Sequence, residues 1–368
     1  MAEMEVSSMA ALSPHAVKRV IGTVFPSLTK PQKKNLSLFV TGLCKARSGI
    51  MAESARNIPG AARLRDRVKR IYRFVSNKHF KPQALFRVWI PWTLRTFIKE
   101  TRITIAVDWT ELPGGIRVLM AGIPFAGRAL PLYWVLLRNA DITDSQTLVE
   151  ERFVEKLKAL LPTTIIPVFV FDRGFRGATF MQFLKDLGVL FVVRVTADVY
   201  ITTKKNRSVK LRTHLLKPHI PAVFKNATYR EDQVVKGVTV IGITIAQKND
   251  DPWWLVTNLV KTEQAIRIYA RRFDIEEWFR DLKHELDIDT LYTKRIGRVT
   301  VILLTACISY GLLLLLGRLA KKYPAWVKRV VTNSCYSPIF LALRLIEEKI
   351  PNRSFFSRWT ALATIPGG

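Results

Sequence analysis

The sequence predicts an α/β protein: a mixed sheet with helices packed on it, broken by a β insertion and preceded by a basic helical region. Three observations carry this reading. The first hundred residues are rich in cations and in helical apolar spacing. Residues Thr101 to Val195 alternate as β-β-β-α-β-α-β, and the stretch 197–260 is β in texture before helical spacing returns at Thr262. These changes divide the chain into a helical basic region (1–100), a first part of the sheet core (101–196), the β insertion (197–260), a second part of the core (261–320) and a C-terminal helical region (321–368).

Composition narrows the partner. Of 368 residues, 49% are hydrophobic and 24% charged, as in ordinary folded chains, and the length allows two or three domains. Lys and Arg number 58 against 29 acids, a net charge of +29. Such an excess repels itself unless a polyanion absorbs it; nucleic acid is the commonest, and an anionic membrane is the rival. Residues 1–100 carry 19 Lys and Arg against 5 acids, so the charge is concentrated at the front. Three cysteines (Cys44, Cys307, Cys335) lie far apart without metal spacing, which suits a reducing compartment such as the cytoplasm. The N-terminus lacks the pattern of a signal peptide. Val299–Gly317 is 19 residues without a charge, long enough to cross a bilayer. It contains Thr300, Thr305, Ser309, Tyr310 and Gly311 and follows a charged helix directly. It reads as a central core helix, and no membrane partner is expected.

The basic region reads as helices over Lys30–Arg47, Ala61–Ser76 and Pro82–Lys99. In the second, Leu64, Val68, Ile71, Tyr72 and Val75 form an apolar face. Arg63, Arg67, Lys69, Arg70 and Arg73 are left for the other face, which suits DNA phosphates or plain solvation. Strands follow at Ile103–Val107, Ile116–Ile123 and Ala129–Leu137. A helix over Ser145–Leu161 has Ser145 or Asp144 as its cap. Thr164–Phe171 is a continuous apolar run, as in a central strand. A helix over Arg176–Leu187 and a strand over Val189–Val195 complete the first half. The insertion holds strands at Val199–Thr203, Ala222–Arg230, Val234–Ala246 and Trp253–Val256. After the apolar helix, Ala325–Val331 and Ile339–Lys349 read as helical.

Two aspartates each follow an apolar strand: Asp108 after ITIAV and Asp172 after IIPVFVF. In so basic a chain, acids held at strand ends suggest a cation, and oxygen ligands suit Mg²⁺ or Mn²⁺. None of the five histidines has a neighbour at zinc spacing. The third carboxylate comes from Thr262–Leu286. At about 100° per residue, Tyr269, Arg272, Glu276, Arg280 and Lys283 share one stripe roughly 21 Å long, beside a face of Ile268, Ile275, Phe279, Leu282 and Leu286. Helical salt bridges around Glu276 would give the same spacing.

The spacing from Tyr269 to Arg272, Glu276 and Lys283 resembles the Y-(2)-R-(3)-E-(6)-K signature of cut-and-paste bacterial transposases of the insertion-sequence-four family. VDWT around Asp108, FDRGFRG around Asp172 and WWLVTNL before the signature strengthen the likeness, which spans about 100–290. The resemblance implies a ribonuclease H-like core whose β insertion precedes the third acid. It implies that Asp108, Asp172 and Glu276 are the catalytic, metal-binding triad, with two Mg²⁺ or Mn²⁺ ions per site. The substrates it implies are transposon ends and target DNA, both double-stranded, joined by a homodimer in a synaptic complex. Tyr269, Arg272 and Lys283, with Arg280 added on geometry, would grip phosphate. One of Trp253 and Trp254 would hold a base flipped out during hairpin formation; strand alternation allows only one. Arg173 and Arg176 beside Asp172 would either bind phosphate or balance that carboxylate, and DNA contact is the expectation. The alternatives are a nuclease or resolvase of the same fold that never joins strands, and a DNA-binding regulator without chemistry.

Overall fold

The computed structural model describes residues 14–142, 146–230, 234–244, 251–322, 336–347 and 359–364. Five helices lead: α1 (Pro14–Val24), α2 (Lys30–Ala46), α3 (Met51–Arg56), α4 (Leu64–Val75) and α5 (Phe86–Phe97). Three strands follow, β1 (Arg102–Leu112), β2 (Ile116–Phe125) and β3 (Arg128–Arg138), then α6 (Gln146–Leu160), β4 (Ile166–Phe171), α7 (Ala178–Asp186) and β5 (Leu190–Val195). Strands β6 (Tyr200–Thr202), β7 (Ser208–Lys210), β8 (Ala222–Tyr229), β9 (Val235–Ile243) and β10 (Trp253–Thr257) precede α8 (Thr262–Ala270), α9 (Asp274–His284), α10 (Ile296–Ala320) and α11 (Pro338–Glu347). The expected caps Ser145 and Asp144, the helix Ala325–Val331 and the end of Ile339–Lys349 lie outside the described residues.

All ten strands form one sheet, in the order β3-β2-β1-β4-β5-β10-β9-β8-β6-β7. Among these named strands, only the β1–β4 and β4–β5 pairings are parallel. The β insertion is therefore not a separate sheet: β10 pairs antiparallel with β5 and carries the core sheet outward. β1 also corrects the expectation that Asp108 closes a strand. The strand continues to Leu112 because β2 stays paired with it, Asp108 opposite Met120.

The basic front is not an independent lobe. Val17, Phe39, Ile71 and Trp89 belong to the same buried cluster as Ile105, Leu304 and Trp359. The Trp89 indole N–H donates to the Pro131 carbonyl in β3 at 3.0 Å, and the Gly49 N–H donates to Leu286 at 2.8 Å. Helix α4 buries Ile71, Phe74 and Val75, while Leu64 and Tyr72 of the expected apolar face are 41% and 44% exposed. The helix packs most tightly at its C-terminal end, where Phe74 meets Phe80 at 4.9 Å, and half-buried Val68 also lies against the core. The expected helix from Pro82 begins as a 3₁₀ turn, Pro82–Leu85, before α5.

Helix α10 is long and apolar enough to cross a membrane, yet it is buried from Val299 to Gly317 apart from half-buried Thr300. It is a core helix. Tyr310 ties it to α9: its hydroxyl donates to Asp281 Oδ2 at 2.8 Å, and Arg128 Nε donates to the same oxygen at 2.7 Å. Arg128 also pairs with Glu277 at 3.0 Å, so the start of β3 clamps the back of α9. Tyr310→Phe removes one donor and leaves the ion pair, and should cost about 1–2 kcal/mol in urea unfolding. Arg128→Met leaves a buried carboxylate without its counter-charge and should cost more, about 3–5 kcal/mol. A reversed order would contradict this account of the clamp.

Candidate active site

The site starts from a register. β1 and β4 run parallel, with Val107 opposite Phe171 as their last paired residues. The next residue on each strand is an aspartate, so Asp108 and Asp172 emerge side by side. With a side-chain period of two, Asp108 shares a sheet face with Ala106, and Asp172 with Val168 and Val170. Helix α8 covers that face: Ala265 and Tyr269 pack with Val168, Val170, Val192, Ile241 and Leu255.

Residues 262–284 are not one unbroken helix. A 3₁₀ turn over Arg271–Phe273 joins α8 to α9. The stripe is accordingly not one face of a straight helix: Tyr269 and Arg272 are buried and Glu276 is half-exposed. Arg272 reaches inward. Its Nη1 donates to Asp108 Oδ2 at 3.1 Å, and its Nη2 bonds Glu276. The Tyr269 hydroxyl lies 3.4 Å from Asp172 Oδ1, toward which it donates. The guanidinium stands 4.7 Å from the Phe273 ring. Asp108 also accepts the Trp109 backbone N–H at 2.8 Å. Burial pushes the Asp108 carboxyl up to about 6; Arg272 and that N–H oppose the shift, while Asp172 and Glu276 add to it. Burial likewise works against the Arg272 charge, but Tyr269 and the three carboxylates together hold its pKa above the usual value.

Arg280 and Lys283 lie farther along α9. Arg280 is exposed and pairs with Glu277. Lys283 lies 3.8 Å from Asp289 and lines a small cavity with Thr110 and Leu112, beside the outer half of β1. Arg173 and Arg176 are both exposed, and Arg173 faces Asp251 at 3.7 Å. Arg63, Lys69 and Arg73 are exposed on and beside α4, and Arg70 borders a concavity with Lys18, Lys30 and Lys34. Arg67 is corrected: its guanidinium donates to the carbonyls of Arg56 (3.1 Å) and Ile58 (2.5 Å), so it holds the α3–α4 loop rather than facing solvent.

The two tryptophans separate cleanly. Trp253 shares the α8 face with Leu255; its ring meets Tyr269 edge-on at 4.8 Å and stacks on Phe273 at 6.2 Å. Trp254 points to the other face and is 2% exposed. Its strand partner is Gly242, where a Cβ would come within 2.4 Å of the indole. Periodicity along the chain did not reveal the network behind Asp108. Trp109 Nε1 and Gln146 Nε2 both donate to buried Glu150 Oε1, at 2.8 and 2.7 Å, and Arg117 lies 4.4 Å over the Trp109 ring. Burial raises the Glu150 pKa. A buried glutamate one helical turn after a glutamine was the available signal.

Among the described residues, no three His, Cys, Asp or Glu side chains converge closely enough to hold an ion. Arg272 stands between Asp108 and Glu276 instead. The donor set still suits a hard divalent cation. It is made of carboxylate oxygens, and Asp108 is crowded by two further acids. The buried Arg272 Nε has no hydrogen-bond partner, so the guanidinium is incompletely satisfied where it lies. Asp108, Asp172 and Glu276 are the residues that could hold the ion.

The family model for the transposase DDE domain matches residues 99–312, more than half of the chain. No curated protein matches it. The match takes in Asp108, Asp172, Trp253 and the whole segment from Tyr269 to Lys283.

The tryptophan geometry yields a stability test. Trp254→Ala should cost about 3–5 kcal/mol of unfolding free energy, because it empties a packed site over Gly242. Trp253→Ala should cost much less, since its indole is already part-exposed at the cleft. Equal losses in urea melts would contradict the assignment of faces.

Proposed function

The chain belongs to the transposase DDE domain family, and from that premise we propose that it is a cut-and-paste transposase of the insertion-sequence-four type. It binds the inverted repeats at transposon ends, cuts both strands through a hairpin and joins the freed end to target DNA. The observation that carries the reading is a linked set of contacts: the Tyr269 hydroxyl donates toward Asp172, and Arg272 bridges Asp108 to Glu276. Three of the four signature positions, Tyr269, Arg272 and Glu276, thus lie around the two strand-borne acids, while Lys283 lies farther along α9.

Asp108, Asp172 and Glu276 would hold Mg²⁺ or Mn²⁺, which supplies Lewis acidity for an in-line displacement at phosphorus. The chain's own part is positioning. The sheet fixes the two aspartates, and α9 brings Glu276 to them. Arg272 neutralises the carboxylates in the absence of substrate and has two further roles open to it when DNA enters: releasing an acid and gripping phosphate. Tyr269 orients Asp172 through its hydroxyl. Trp253, on the same face and against Tyr269, is the aromatic that holds an extruded base, which assigns Trp254 to the core. Exposed Arg63, Lys69 and Arg73, with half-buried Arg70 among them, carry duplex away from the site. Pairing two ends calls for a homodimer, and the division of the chain at 100, 196, 260 and 320 remains part of this proposal.

Two assays on one preparation test the reading, with end-labelled duplex from the repeats flanking the reading frame. Asp108→Ala, Asp172→Ala and Glu276→Ala should each abolish cutting and keep the gel shift. A Glu276→Ala protein that still cuts in Mg²⁺ sinks the triad. Trp253→Ala should spare the first nick and lower hairpin yield about tenfold or more on a denaturing gel, since stacking contributes roughly 1–3 kcal/mol per base. Double-strand cuts without any hairpin from the unaltered protein would remove the hairpin route alone.

A further inference from the structure

Outside the triad, two adjoining concavities lie between α4 and the stretch that leads from α9 into α10. The larger, about 490 Å³, is bordered by Tyr72, Tyr292, Lys294, Arg295 and Arg298. The smaller, about 390 Å³, shares Arg295 and Arg298 and adds Lys78 and Lys81. None of the described residues lining either one is acidic. Arg298 is locked in place: its guanidinium lies 4.5 Å over the Tyr72 ring, donates to the Tyr72 hydroxyl at 2.9 Å, and donates to Ser76 Oγ at 3.0 Å. Tyr292, at the rim, is 87% exposed. An aromatic ring left bare beside a groove of cations is the pattern of a site for unpaired nucleic acid, where bases stack and phosphates meet charge.

The groove is also connected to the triad. Beyond Asp108, β1 continues past Thr110, where Lys283 lies, to the turn at Gly114. A Cβ on Gly114 would come 2.9 Å from the Lys294 side chain, so Lys294 lies over that turn. From Asp108 to Leu112, where β1 ends and the turn begins, is about 13 Å at 3.3 Å per residue, close to four nucleotides of stacked strand at roughly 3.4 Å each. Lys283, paired with Asp289 at 3.8 Å, and Lys294 over the turn are thus the cations met between the acids and the groove. A cavity of this size admits a nucleotide-sized group.

We propose that this groove holds a single DNA strand leaving the active site, with Lys294 and Arg295 on its phosphates and Tyr292 stacked on an unpaired base. The proposal rests on the reading of the triad as a DNA-cutting centre, which supplies the separated strand.

The test uses the full chain, fluorescence anisotropy and two probes: a labelled single strand of about 30 nucleotides in mixed sequence, and the same strand annealed into a blunt duplex. For the single strand, the Lys294→Ala/Arg295→Ala protein should lower the slope of log affinity against log salt by about 1.4, two contacts at roughly 0.7 each. Lys294→Arg/Arg295→Lys should keep the slope. Tyr292→Ala should weaken single-strand binding about fivefold or more and leave the blunt duplex within about twofold, whereas Tyr292→Phe should bind like the unaltered protein. An unchanged slope in the double alanine variant overturns the proposal, as does an equal loss on both probes for Tyr292→Ala. Thermal melts of each variant matching the unaltered chain exclude misfolding. Cutting by the unaltered protein and by Glu276→Ala is measured alongside. Cutting that depends on Glu276, together with groove variants that bind normally, sinks the groove alone. Cutting that ignores Glu276, together with groove variants that lose the single strand, sinks the triad alone.

Discussion

Two parallel strands that stop pairing in register are the constraint on which the site depends. Val107 opposite Phe171 makes the next residues, Asp108 and Asp172, neighbours on one face. Because side chains alternate with a period of two, a one-residue slip would send one aspartate to the opposite face. The register cannot slip cheaply. Ile105, Val107, Val168, Val170 and Phe171 are fully or almost fully buried, so both faces of these central strands are packed. The pair of acids is therefore placed by apolar side chains that take no part in any chemistry.

The charges then have to be made tolerable. Arg272 is 2% exposed and has two carboxylate partners, Asp108 and Glu276. A cation withdrawn from water to this degree is held by such partners or not at all, since an uncompensated buried charge costs several kcal/mol. Arg280 and Glu277, one turn on, sit at the surface and contribute roughly 0–1 kcal/mol. The same helix thus carries both kinds of ion pair, and burial alone decides which one the fold depends on. On the back of α9, Arg128 and Tyr310 repeat the principle at Asp281. Glu276 is consequently held on a helix clamped from both sides while its own side chain stays half-exposed.

What the sequence made legible was periodic. Alternation and helical spacing recovered the order β-β-β-α-β-α-β, the buried reading of Val299–Gly317 and the spacing that groups Tyr269, Arg272 and Glu276. What it hid was decided by contacts between distant segments. By sequence Asp108 reads as a strand end because its apolar run stops there, but β2 keeps β1 paired to Leu112. The 3₁₀ turn at Arg271–Phe273 leaves no mark in a wheel drawn at constant pitch, and it turns two stripe residues inward. Trp253 and Trp254 are indistinguishable in sequence; Gly242 on the neighbouring strand and Tyr269 on α8 tell them apart. Arg67 looked like its neighbours until the carbonyls of Arg56 and Ile58 came within reach.

The same long-range packing changes the meaning of the basic front. Charge density alone suggests a detachable DNA-binding module. Trp89 inserted against β3, Gly49 bonded to Leu286, and Arg298 laid over Tyr72 join that region to the sheet as one body. Its cations are therefore held at fixed distances from the acids instead of trailing on a linker. A fixed spacing favours a polyanion whose own charges are regularly spaced, because each contact made leaves the next already aligned and saves the entropy of ordering it. Nineteen Lys and Arg against five acids on a flexible tail would only raise affinity for nucleic acid in general. On a frame packed against the sheet, the same cations instead keep a fixed spacing to the half-buried Asp108 and Asp172.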